Sequence, residues 1–110
     1  ILTLSRVKGK NPVPMHDKLY CMYIATNQRD TVLYTGMSGQ LPERMTHHKE
    51  HCVPGFTKRY NVEKLVYYEV FETPYEAISR EKEVKGWVRA RKIALINSKN
   101  PQWRDLSDSL

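Results

Sequence analysis

The segment TPYEAISREKEVKGW, residues 73–87, carries an acid where a helix calls for an apolar side chain. Plotted at about 100° per residue, Ala77, Ile78, Val84 and Val88 define the apolar face and Glu81 projects from its centre. A carboxylate facing a core costs on the order of several kcal/mol unless it is paired or coordinates a metal. Lys85, one helical turn on and on the same face, is the pairing partner the sequence offers. Both accounts stand at this level.

Other residues with chemical potential lie earlier in the chain. Tyr23 in YCMYIA and Tyr34 in TVLYTG fall in two short strand-like runs joined by the polar TNQRD, the pattern of a β-hairpin. With Ala25 opposite Val32, the register places Tyr23 directly opposite Tyr34 on one face, either as ordinary strand packing or as a pair of phenols in a site. LPERMTHHKEHC then reads as a helix with Leu41, Met45 and Cys52 on one side and Arg44, His47, His48 and His51 on an adjacent arc. Arg44 and His48 are one turn apart and both reach a single phosphate, unless that arc is simply a solvated helix face. His47 with His51, or His48 with Cys52, has the spacing of two Zn²⁺ ligands, but no second pair follows. Lys58, Arg59, Lys82, Lys85, Arg89, Arg91 and Lys92, with Phe56 and Tyr60 among them, are either a track for a nucleic-acid backbone or solubilising charge.

These residues need a scaffold, and the remaining sequence supplies one. KLVYYEVFE reads as a third strand with large residues on both faces. Thr73, Pro74 and Glu76 provide an N-cap, a first-turn proline and a capping-box acid for the helix that bears Glu81. Gly86 loosens that helix before VRARKIALIN, a further helix, and SKNPQWRDL is a loop whose Trp103 and Leu106 pack back on the body. Residues 1–18 are basic, contain Pro12 and Pro14 and lack periodicity, so a flexible arm is expected there and one domain over 19–110.

The chain of 110 residues, 40% hydrophobic, suffices for one modest core. Eighteen lysines and arginines against 12 acids give a net charge of +6, which suits a polyanionic partner. Cys21 and Cys52 lack the spacing of a zinc knuckle and the density of a disulfide scaffold, so a reducing, cytoplasmic setting is expected. No apolar run approaches the ~20 residues of a membrane span.

Taken in order, Cys21-Met22-Tyr23, Tyr34-Thr35-Gly36, Arg44, His48 and a helix-borne Glu81 resemble the GIY-YIG nuclease domain. GFTKRY, LVYYE, EAISREKEVKGW and NPQWRDL are similar to the small stand-alone bacterial members of that family, over about Tyr20 to Leu106. The first motif is CMY instead of GIY and the second YTG instead of YIG, so the tyrosines and Gly36 are what is kept. The resemblance implies an α+β fold, a small three-stranded antiparallel sheet flanked by helices. It implies metal-dependent endonuclease activity on DNA, double-stranded, branched or single-stranded, of low sequence specificity and suited to repair or recombination. Under it Tyr23 and Tyr34 line the site, one of them helping to deprotonate the attacking water. Arg44 holds the scissile phosphate, His48 orients a tyrosine or the water, Glu81 binds one Mg²⁺ or Mn²⁺, and Asn100 supports the substrate end. Lys58, Arg59, Lys82, Arg89, Arg91 and Lys92 would contact the nucleic acid. The alternative is a non-catalytic nucleic-acid-binding module on the same fold.

Overall fold

A computed structural model describes residues 19–49 and 60–109, the side chains of His47, His48 and Ser109 excepted. The expectations for residues 1–18 and for His48, His51, Cys52, Phe56, Lys58 and Arg59 lie outside what is described. Strand β1 is Tyr20–Thr26, β2 is Leu33–Ser38, α1 is Leu41–Lys49, β3 is Lys64–Phe71, α2 is Pro74–Lys85, α3 is Arg89–Lys99, and a 3₁₀ turn spans Leu106–Ser109. The strands form an antiparallel sheet in the order β2-β1-β3, so the α+β architecture expected from the sequence is present. Among the described residues no helix is long and apolar enough to cross a membrane.

Placing β1 in the middle buries it on both faces. Met22 and Ile24 join Val66, Tyr67, Val84 and Ile96 under α2 and α3, with Trp87, Leu95 and Trp103 around them. Tyr23 and Ala25 join Leu41, Met45, Val62 and Leu65 on the other face, under α1 and beside Leu106. Strand β3 serves both layers because of a bulge. Ile24 pairs with Tyr67 and Ala25 with Leu65, leaving Val66 as the extra residue. Val66 and Tyr67 therefore both enter the first core while Leu65 and Tyr68 face the second.

Two sequence expectations are corrected. Ala25 pairs with Tyr34 and Tyr23 with Gly36, a register two residues away from the one expected. The hairpin loop is longer than TNQRD suggests because the Asn27 side chain captures its far end. Its Oδ1 accepts from the backbone N–H groups of Thr31 at 2.8 Å and Val32 at 3.3 Å, and its Nδ2 donates to Thr31 Oγ1 at 2.8 Å. Thr31 and Val32 are thereby held in the loop and β2 starts at Leu33. Secondly, the buried stripe of α2 is Ala77 and Val84, whereas Ile78 is 39% and Val88 71% exposed. Ile78 lies about 100° round the helix from Ala77. The helix ends at Lys85, and Val88 instead becomes the N-cap of α3.

The start of α2 follows expectation. The Thr73 hydroxyl oxygen accepts from the Glu76 N–H and its hydroxyl donates to Glu76 Oε1, both at 3.2 Å. This fixes the phase of α2 and hence the direction in which Glu81 leaves it.

Candidate active site

The tyrosine pair survives the change of register, through a different geometry. Tyr23 and Tyr34 are diagonal neighbours on one face, and their ring centroids lie 6.1 Å apart with planes tilted by 50°. Both rings lean over Gly36, the residue opposite Tyr23. A Cβ at that position would stand 2.8 Å from Tyr23 Cζ and hydroxyl oxygen and 2.8 Å from Tyr34 Cε2. Glycine is required here for space, since its side chain would occupy the ground on which the two phenols meet. On its other flank Tyr23 pairs with Tyr68, a partly buried residue that sequence reasoning did not single out. Tyr23 is left 1% exposed.

Electrostatics tie this pair to two further residues. The Tyr23 phenol is pushed well above its ordinary range by burial first, then by Tyr34, against the opposing pull of Arg44; a hydrogen bond with Tyr34 and the charge of Glu81 raise it further. Tyr34, Arg44 and Glu81 thus lie within electrostatic reach of one hydroxyl, although they come from β2, α1 and α2. Arg44 is half-buried, one turn into a helix that starts directly after β2. Ser38 Oγ accepts from Gln40 N–H at 2.9 Å to make that corner. At its far end α1 is anchored by Lys49, which donates to Asp105 at 2.6 Å and to the Glu63 carbonyl at 2.8 Å.

Asp105 is a structural acid the sequence reading missed. Burial pushes its carboxyl up, but Lys49, the Ser107 hydroxyl and the N–H groups of Ser107 and Leu65 outweigh this and hold it below the ordinary value. It joins α1, β3 and the 3₁₀ turn, with no signal in a sequence where Arg104, Ser107 and Asp108 beside it are polar too.

Glu81 has the partner that helix spacing allows. Lys85 Nζ lies 2.6 Å from Glu81 Oε2, with the glutamate side chain 15% exposed and the lysine 54%. The acid is thus paired with Lys85 and also near Tyr23, so the two accounts of Glu81 coexist. Its neighbour Arg80 points to the opposite flank. There Arg80 Nε and a terminal nitrogen donate to the two Glu69 oxygens at 2.9 and 3.0 Å, and the Tyr67 hydroxyl donates to Glu69 Oε2. Arg80 also reaches Glu83 at 3.1 Å and lies over the Trp87 ring, which Arg91 covers at 4.0 Å.

Asn100 is 5% exposed and fully engaged with backbone. Its Nδ2 donates to the Val66 carbonyl at 3.0 Å and the Arg104 carbonyl at 2.9 Å, while its Oδ1 accepts from Arg104 N–H at 3.1 Å. It acts by holding the β3 bulge next to Tyr23's strand, with no polar atom left for a ligand. Among the cations, Lys82, Arg89 and Arg91 are exposed and Lys92 is half-buried. Cys21, standing where the family motif has glycine, is half-buried, and burial pushes its thiol up to about 11. It is a packing residue at neutral pH.

For a metal, the donor set is sparse. Among the described residues no three His, Cys, Asp or Glu side chains gather as a metal cage. One mostly enclosed carboxylate whose hydrogen-bond partner among the described residues is a half-exposed ammonium fits a hard divalent cation that keeps most of its water, and does not fit structural Zn²⁺.

Known proteins match this chain in sequence and in fold. The model of the GIY-YIG catalytic domain matches residues 19–94. A UPF0213 protein of Clostridium perfringens is 40% identical over 72 residues, 66% of this chain and 77% of that protein. One from Staphylococcus saprophyticus is 36% identical over 69 residues, 63% of this chain and 84% of the relative. The solution NMR structure of a UPF0213 protein from Bacillus halodurans superposes with a TM-score of 0.51 at 24% identity, covering 79% of this chain and 92% of the other.

Proposed function

Given that the chain belongs to the GIY-YIG catalytic-domain family, we propose that it is a metal-dependent endonuclease that hydrolyses phosphodiester bonds in DNA with low sequence specificity, in repair or recombination. The observation that carries the reading is that the Tyr23 and Tyr34 rings meet over Gly36 with Arg44 and Glu81, from two further elements, within electrostatic reach of the Tyr23 hydroxyl. Mg²⁺ or Mn²⁺ at Glu81 would supply positive charge against the phosphate and the leaving oxygen.

The residues divide the remaining work. A phenol with a reference pKa of about 10 is a weak base at neutral pH, so it takes a proton only where the phenolate is stabilised. Burial and its hydrogen bond with Tyr34 keep the proton on Tyr23. Tyr34 is the more exposed of the two; once its own proton has passed to solvent, its oxygen accepts the water's proton while Tyr23 donates a hydrogen bond to it. Arg44 binds the phosphate through its guanidinium and compensates charge as the pentavalent transition state forms. His48, one turn along α1, orients the water or a phenol. Lys58, Arg59, Lys82, Arg89, Arg91 and Lys92 supply the backbone track.

The test is incubation of the purified chain with supercoiled, branched and single-stranded DNA in Mg²⁺ or Mn²⁺. Cleavage that disappears in Glu81→Ala is expected. Absence of cutting on every substrate, or equal cutting by Glu81→Ala, sinks the proposal. Salt-dependent binding without cleavage, insensitive to Glu81→Ala, selects the binding-module alternative.

A further inference from the structure

The Glu81–Lys85 pair sits beside two more cations. Arg89 is the first residue of α3 and Lys92 lies one turn further along it. Lys92 has its proton affinity lowered by burial first and then by the charges of Lys85 and Arg89, both of which lie within electrostatic reach of it. Little compensates them. Arg89 reaches a backbone oxygen, that of Asp30, at 3.5 Å, and the Asp30 carboxylate belongs to Lys64 at 2.7 Å. Among the described residues, the acid recorded on the trio is Glu81, through Lys85.

We infer that Lys85 is an exchangeable counter-ion: it neutralises Glu81 until a divalent cation takes the carboxylate, and then joins Arg89 and Lys92 to bind a backbone phosphate of the nucleic acid. This rests on Glu81 as the metal residue. The physical basis is an asymmetry of hold. Lys85 is more than half exposed, makes one hydrogen bond and has a long flexible stem, so its grip on Glu81 is that of a surface ion pair. A divalent ion and an ammonium cannot both stay on one carboxylate oxygen without strong repulsion. Once displaced, Lys85 stands in a field made positive by Arg89 and Lys92, and a phosphate lowers the energy of all three. Metal and DNA thereby strengthen each other's binding, as linkage requires.

The experiment measures Mn²⁺ binding to the full chain by titration without DNA. It also measures affinity for a splayed-arm DNA at several salt concentrations with Ca²⁺ in place of the cleaving ion. Lys85→Gln is expected to bind Mn²⁺ about threefold to tenfold more tightly, because its competitor is gone. The slope of log affinity against log salt should flatten by about one, the signature of one lost phosphate contact. Lys85→Arg, which keeps the charge, should resemble the unaltered chain in both. The inference is overturned if Lys85→Gln binds Mn²⁺ no more tightly, or if its salt slope is unchanged. Glu81→Gln separates this from the larger reading. If Glu81→Gln binds Mn²⁺ as well as the unaltered chain, Glu81 is not the metal residue and both proposals fall. If it loses Mn²⁺ while Lys85→Gln gains nothing, the counter-ion role alone falls.

Discussion

Arg80 and Glu81 are adjacent in the chain and leave α2 on opposite flanks of the Ala77 and Val84 stripe, where each meets a charged partner of a different kind. On the Arg80 flank, the Glu69 carboxylate receives two guanidinium N–H groups and a phenol, so both oxygens are engaged by groups that hold their geometry. On the Glu81 flank, a single ammonium on a half-exposed stem serves one oxygen. The difference teaches how to tell two enclosed acids apart. One whose lone pairs are filled by rigid donors is a brace between β3 and α2, and one compensated by a single movable charge is open to exchange.

The sharpest way to break this comparison is on the Glu81 flank. Glu81→Gln should lower the cleavage rate by about 10³-fold, several kcal/mol of lost charge stabilisation, while the thermal midpoint moves little because a pair whose lysine is more than half exposed contributes little. Rate measurement alongside a melting curve checks both halves. Next in size is the tyrosine pair. Tyr34→Phe should cost about 10²-fold as the loss of a proton acceptor, and Tyr23→Phe roughly tenfold as the loss of its hydrogen-bond donor; equal losses would remove the assigned division of labour.

On the Arg80 flank the effect should appear in stability. Glu69→Gln leaves Arg80 and Tyr67 poorly matched and should destabilise by about 1–3 kcal/mol in urea titration, with cleavage per folded molecule nearly unchanged. The smallest effect concerns Asp105, whose folded carboxyl lies below its ordinary value. Its contribution is present above the unfolded pKa of about 3.9 and is lost as pH falls through the lower folded value. Asp105→Asn should therefore lose stability at neutral pH and show a flatter decline below about pH 4.

Much of this was legible from residue order. Tyr23, Tyr34, Arg44 and Glu81 were marked by type and spacing, the three strands followed from runs of β-branched and aromatic residues, and the start of α2 followed from its capping residues. The hairpin register was not, because it depends on one asparagine side chain reaching back across its own loop, an interaction that leaves no periodic trace. Val88 was misjudged because the wheel was continued past Lys85, through a turn where helical phase no longer applies, and Ile78 because it lies about 100° round from Ala77, at the edge of the buried stripe. Asp105 and the Glu69 network were invisible for another reason: their partners are brought from distant segments by the fold itself.

The bulge in β3 has a consequence for chain length. On either side of Val66 the alternation is already in step with β1, Leu65 against Ala25 and Tyr67 against Ile24. Deleting Val66 would close the gap into an unbroken ladder with every other side chain keeping its face, so strand pairing would tolerate the loss. What would be cut is the tether at the other end: Asn100 would lose the carbonyl it holds, and the segment running through Trp103 and Arg104 to Asp105 would be left with its tie at the Leu65 N–H. The spare residue in the strand is thus the docking point for the tail.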